Sequence, residues 1–344
     1  MEKPFLNDIC VARIILIVLL VLYHSFAPFN GAWKYPENLP SIDLYWWIAT
    51  FSYSFMLPMF VFISGYLVGH SAKIHRGANL TAQNLIYKKI RRLLLPSICF
   101  SIIYFFIFRN IENSGNSIIY YILNGAGHMW FLPMLFWNFV FLYFIEKYRN
   151  YSYRVVLFLS LILSSIFLVS LPFRLSNAIQ YFFFFYLGYV SARFNILLSF
   201  RKKSIIISLF LFYVSSFILC NLNSLVLFDI TFGSNLLHKI NYALVARLKF
   251  LLPAISGVLF IWTYISNKVD GKKLSGRIIK LSSYCFGVYI FQQFILKFIY
   301  YNLGFISTES PYVLPWVAFG LTLCLSVLMS AFFVKTKIGK FLIG

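Results

Sequence analysis

Apolar runs of membrane length recur along the whole of this chain, and no other feature restricts its fold so strongly. The first is ICVARIILIVLLVLYHSFAPF at 9–29, and further runs lie near 44–69, 93–109, 130–146, 155–172, 178–194, 205–222, 250–266, 282–300 and 314–334. About 20 apolar residues in an α-helix cross the hydrocarbon of a bilayer. Lipid offers backbone N–H and C=O groups no partner, so such segments must satisfy them internally, as helices. The expected fold is therefore an all-α integral membrane protein with about ten transmembrane helices; tilt accommodates the shorter runs. Only 11% of the 344 residues are charged and 61% are hydrophobic. Soluble domains carry about 25% charge, and a soluble fold could not bury this much apolar surface. The 41 Phe and 24 Tyr suit a chain that faces lipid and anchors at the interface.

A net charge of +21 would also fit nucleic-acid binding, but the basic residues are confined to short segments between the apolar runs. With the N-terminus in the cytoplasm, 22 of the 30 Lys and Arg fall in inside segments and 6 in outside ones; Arg13 and Lys297 lie within spans. That asymmetry predicts both termini cytoplasmic. The N-terminus carries one lysine before its apolar run and no small-x-small cleavage site, so the first helix is expected to stay in place. The chain reads as one membrane domain, 1–344, multi-pass in the cell (inner or plasma) membrane, with no soluble domain and no expected nucleic-acid partner. The outer segment 223–249 is the longest outside, and NSLVLFDITFGSN within it reads equally as re-entrant or interfacial. The five cysteines show neither metal-ligand spacing nor a disulfide framework, and no metal is expected.

Within the first run, His24 follows Arg13 by eleven residues. On an α-helix this is about three turns with roughly 20° of offset, so both side chains share one face, roughly 16 Å apart along the axis. An arginine in a span must snorkel to the interface or find a partner. The nine acidic residues all lie in loops, in the N-terminal tail or at span ends. The partner of Arg13 is then a headgroup, backbone carbonyls or an anionic ligand entering from the cytoplasm. His24 lies too far along the helix to share that interface. It is either a core histidine bonded to a neighbouring helix or a general base, the role its near-neutral titration suits. His128, at the outer end of the fourth span, can line an entrance or sit at headgroup level. Lys297, near the outer end of the ninth, is expected to snorkel.

The spacing Arg-x10-His in the first span resembles the first motif of the membrane acyltransferase-3 family, and further elements follow in the family's order. MFVFISGYLVG (59–69) resembles its SGYL-type second-span motif. YKKIRRLLLP (87–96) resembles its basic stretch before the third span, and HMWFLPMLF (128–136) its WFL element. FFFFYLGYV (182–190) and SYCFGVYIFQQFIL (283–296) resemble its later elements. The likeness spans about residues 5–335. One departure stands out: where the family commonly reads Tyr-x-x-His-Gln, this chain has Tyr289-Ile-Phe-Gln292-Gln293, so a role of that histidine is lost or passes to the amide of Gln292.

The resemblance implies a membrane O-acyltransferase that moves an acyl group, usually acetyl, from cytoplasmic acyl-CoA to a hydroxyl of a glycan or lipid-linked sugar, as in polysaccharide modification of the cell envelope. On that reading His24 is the general base, and acyl-CoA is held by Arg13, Lys88, Arg91 and Arg92; the spacing of Arg13 and His24 is about a pantetheine arm. Lys88 and Arg92, four apart, are expected to share a helical face. The same basic stretch also fits positive-inside topology and lipid headgroups. Ser64, Tyr66, Trp130 and His128 are the candidates for oxyanion or acceptor contacts, although Ser-Gly in a span also serves close helix packing. Acetyl-CoA is the expected co-substrate and direct transfer the expected route. The competing reading is a transporter or flippase for a glycan or small anion, with Arg13 and His24 lining its path.

Overall fold

The computed structural model describes residues 6–34, 41–77, 80–112, 115, 117–148, 152–222, 236–269, 272–302 and 312–343. It is 86% helical, with no strand among the described residues. Its helices are α1 (Asn7–Phe26), α2 (Asp43–Ile74), α3 (Leu95–Glu112), α4 (Ile118–Asn124), α5 (Phe131–Lys147), α6 (Tyr153–Ile166), α7 (Leu175–Phe194), α8 (Lys203–Asn221), α9 (Leu236–Val269), α10 (Gly276–Asn302), α11 (Leu314–Phe333) and α12 (Lys337–Leu342). Each of the ten apolar segments forms a helix. Among the described residues, seven helical segments are long and apolar enough to cross a membrane.

The three others depart from expectation for identifiable reasons. Helix α6 stops after 14 residues at Ile166, where Phe167 turns extended, so the segment expected at 155–172 is shorter. Helices α7 and α10 have the length, but they carry polar side chains such as Gln180, Gln292, Gln293 and Lys297, all buried. The segment NSLVLFDITFGSN (223–235), read above as re-entrant or interfacial, lies outside the described residues, and from Leu236 the chain is helical.

The chain divides into two compact units. The first comprises Met1–Tyr53, Ile90–Pro133 and Gly271–Gly344. In it α1 packs on α10 and α10 on α11. Helix α11 shows how membrane composition is sorted. Ala318, Thr322, Ser326 and Ser330, at four-residue steps, are buried, whereas Leu321, Leu325, Leu328 and Phe332 are exposed. Small residues let helix backbones approach, and lipid-facing positions take the large apolar side chains. A Cβ on Gly287 of α10 would stand 2.5 Å from the Ser330 hydroxyl, so this pair of helices depends on that glycine.

The second unit comprises Ser54–Lys89 and Met134–Asp270. Its centre is α7, buried almost throughout from Ala178 to Ala192. The later part of α2 lies against it through glycines on both helices. Cβ atoms on Gly65 and Gly69 would stand 1.9 and 2.1 Å from the carbonyl oxygens of Phe185 and Tyr189, and one on Gly188 would stand 2.0 Å from that of Phe62. Helices α8 and α9 pack beside each other, joined by a Ser216–Ser256 hydroxyl contact of 3.2 Å. Arg193 and Glu146 form an ion pair at 2.7 Å.

Candidate active site

Helix α1 is unbroken from Asn7 to Phe26, so the eleven-residue spacing holds in three dimensions and Arg13 and His24 share its face. His24 is 6% exposed. Its Nδ1 lies 2.9 Å from Oε1 of Gln292 on α10. A carbonyl oxygen can only accept, so Nδ1 is the donor of this pair, and in the neutral imidazole the lone pair then lies on Nε2. Nε2 makes no hydrogen bond among the described residues.

The turn after α1 then brings an indole onto the imidazole. Pro28 lies at the start of a short 3₁₀ turn, Ala27–Asn30, as its second residue, and Gly31 ends it at φ +76°, a left-handed conformation that glycine adopts freely. The chain doubles back, with the amides of Ala32 and Trp33 donating to the Ala27 carbonyl at 3.2 and 3.4 Å. Trp33 thereby stacks on His24, with ring centroids 5.6 Å apart and planes at 17°.

A second histidine joins them. Gly125 and Gly127 both take positive φ, 75° and 49°, and the sequence GAGHMW enters the 3₁₀ turn Gly127–Trp130. This sets His128 beside His24, with ring centroids 6.2 Å apart. His128 is 5% exposed, enclosed by protein side chains. Its backbone N–H donates to Gln293 Oε1 at 2.8 Å, and its Nδ1 contacts the same oxygen. Its Nε2 lies 3.2 Å from the Ile290 carbonyl, and the Tyr289 hydroxyl donates to the His128 carbonyl at 2.6 Å. One turn of α10 therefore holds both histidines.

Lys297 completes the cluster. It does not snorkel: it is 5% exposed, with Nζ 5.0, 5.5 and 5.8 Å from the ring centroids of Tyr104, Trp33 and Phe108. Aromatic faces attract an ammonium and offset part of its desolvation.

The basic candidates divide between the two units. Arg13 is half-buried, and its electrostatic neighbours are Cys285, Cys10 and Arg92. Among the described residues it makes no ion pair with a carboxylate. Arg92 and Arg91 are exposed, and the Arg91 guanidinium sits 4.2 Å over the Phe341 ring. Lys88 belongs to the second unit, where Nζ donates to Asn84 Oδ1 at 2.6 Å. Residues Gln83–Tyr87 and Ile90–Leu94 form π-turns.

Ser64 and Tyr66 are also in the second unit. The Ser64 hydroxyl donates to the Phe60 carbonyl in its own helix at 2.9 Å, and the Tyr66 ring packs 4.4 Å from that of Trp262. Trp130 ends the 3₁₀ turn and lies edge-on to Phe131. The structure thus brings His24 and His128 together and places Arg92 near Arg13.

A family model described as an acyltransferase domain matches residues 6–335, nearly the whole chain. The chain belongs to the acyltransferase-3 family. No curated protein and no solved structure matches it. Membership makes this acyltransferase a multi-pass membrane protein, in agreement with its apolar helices.

Trp33 and Gln293 of the acyltransferase cluster escaped sequence reasoning; Gln292 was noticed only as a departure from the motif, and Lys297 was read as an interfacial lysine. The adjacent glutamines were the signal available, because two carboxamides inside an apolar span are expensive unless hydrogen-bonded. Gly127 gives a prediction of its own. A Cβ there would stand 2.7 Å from Gln293 Oε1 and from the Tyr104 hydroxyl, at φ +49°. Gly127→Ala should displace His128 and slow acyl transfer about tenfold or more, since small misplacements near reacting atoms are costly. Transfer rates of purified wild type and variant, at matched monodisperse protein, check this.

Proposed function

We propose that this acyltransferase moves an acetyl group from cytoplasmic acetyl-CoA to a hydroxyl of a glycan or lipid-linked sugar, with His24 as general base. The observation that carries the reading is His24 itself: buried, held at Nδ1 by Gln292, its Nε2 unbonded, on the same helix face as Arg13. About ten helices cross the membrane and both termini are cytoplasmic, so Arg13 stands at the inner mouth. There its guanidinium binds a phosphate of CoA bidentately, with Arg92 and Arg91 adding positive charge.

The acceptor hydroxyl gives its proton to Nε2 of His24 as its oxygen attacks the thioester carbonyl. The new C–O bond forms, the tetrahedral intermediate collapses, and the C–S bond breaks. The proton on His24 then passes to the departing CoA sulfur, leaving His24 neutral for the next cycle. His128, beside His24, faces the acceptor. Trp33 offers an apolar face of the kind on which a sugar ring can lie.

Membranes containing the protein, given radiolabelled acetyl-CoA and the lipid-linked sugar fraction of the host, should transfer label into the sugar fraction. Absence of transfer together with flux of unmodified sugar would favour the transporter reading. Arg13→Ala should raise the KM for acetyl-CoA by tenfold or more and change kcat less, because a contact to the donor's distal phosphates persists from ground state to transition state. An unchanged KM would remove Arg13 from the donor site.

A further inference from the structure

Three observations about Gln292 converge. It is completely buried, at 0% exposure. Its Oε1 lies 2.9 Å from His24 Nδ1. Its Nε2 has no hydrogen-bond partner among the described residues. A buried carboxamide with an unsatisfied N–H₂ destabilises a fold, and an apolar side chain of the same shape would avoid that penalty. The one hydrogen bond this side chain makes is to the imidazole. Its chemistry is therefore explained by His24 rather than by packing.

Resting on the acyltransferase reading above, we propose that Gln292 is the positioning residue of His24. Its carbonyl oxygen holds Nδ1–H and so selects the tautomer with the lone pair on Nε2, and it fixes the ring plane against Trp33. A neutral imidazole without that partner is free to carry its proton on either nitrogen and to rotate about its side-chain bonds. In the other tautomer Nε2 cannot act as a base. The neighbouring Gln293 does the corresponding work for His128, where the backbone N–H of His128 sets the orientation of the amide. Two successive carboxamides on α10 thus orient two histidines from different parts of the chain. Gln292 itself need touch neither the donor nor the acceptor.

The test compares two substitutions in the full-length protein, with radiolabelled acetyl-CoA and host lipid-linked sugars as probes. Gln292→Met keeps length and shape and removes both polar atoms. Gln292→Glu keeps an oxygen that accepts from Nδ1–H and removes the unpartnered N–H₂. Loss of an orienting partner costs roughly 10–100-fold at metal-bound histidines and more in catalytic triads. Gln292→Met is expected to lower kcat about 100-fold with the acetyl-CoA KM within threefold of wild type, while the protein stays monodisperse. Gln292→Glu is expected to recover at least tenfold of that loss. A Met variant turning over within threefold of wild type overturns the proposal. So does a Glu variant as slow as the Met variant, or a loss confined to the acetyl-CoA KM. Failure of the wild type to transfer label would instead overturn the acyltransferase reading itself, so the two failures are distinguishable.

Discussion

His24→Ala should lower kcat for acyl transfer by 10²–10⁴-fold, the range that general-base catalysis supplies, with little change in the KM for acetyl-CoA. The split follows from geometry. His24 lies about three helical turns from Arg13, so its removal leaves the contacts to the distal phosphates of CoA in place. The neighbouring His128 is not equipped to replace it. Its two ring nitrogens each face a carbonyl oxygen, Nδ1 that of the Gln293 amide and Nε2 that of Ile290, which occupies the place an acceptor hydroxyl would need, whereas Nε2 of His24 is unbonded among the described residues. Single-turnover transfer from preloaded radiolabelled acetyl-CoA separates chemistry from binding. A His24→Ala protein that transfers label within threefold of wild type would remove His24 as the base.

What the sequence made legible here is what helix geometry makes local. Arg13 and His24 sit in one uninterrupted helix, so their common face and separation follow from residue count alone, and the structure keeps both. The helical class followed as directly, because lipid leaves the backbone few choices. Contacts made by turns and by packing between helices were not legible. His128 reaches His24 only because two glycines at positive φ fold GAGHMW back, and no periodicity encodes that. Trp33 arrives through the turn at Gly31. Lys297 looked like an interfacial lysine because depth in a membrane is read from sequence position, whereas its burial is decided by the three rings that cover it. Gln292 drew notice only as a departure from a motif; its function depends on which helix α10 faces.

Gly65→Ala should disrupt the second unit more than any other single methyl added to the SGYL motif. The added Cβ would stand 1.9 Å from the Phe185 carbonyl oxygen and 2.8 Å from its carbon. These are backbone atoms of a buried helix and cannot swing aside, so α2 and α7 must separate. Overpacking of this kind destabilises by about 1–3 kcal/mol, and more where backbone is the obstacle. It also takes α2 out of contact at Gly69 and Gly188, which pack by the same device. The expected result is a fall of several degrees in the Tm of detergent-purified protein, together with a smaller monodisperse fraction. Ser64→Ala gives the contrast, because that hydroxyl donates only to the Phe60 carbonyl of its own helix, whose backbone bonds survive without it. A Gly65→Ala protein with the Tm of wild type would show that α2 and α7 are not held by this approach. A Ser64→Ala protein that keeps its Tm but loses more than tenfold in kcat would return Ser64 to the reacting groups. The adjacent pair Ser64-Gly65 thereby separates the two explanations of one motif, catalysis and helix packing, by a hydroxyl removed at one residue and a methyl added at the next.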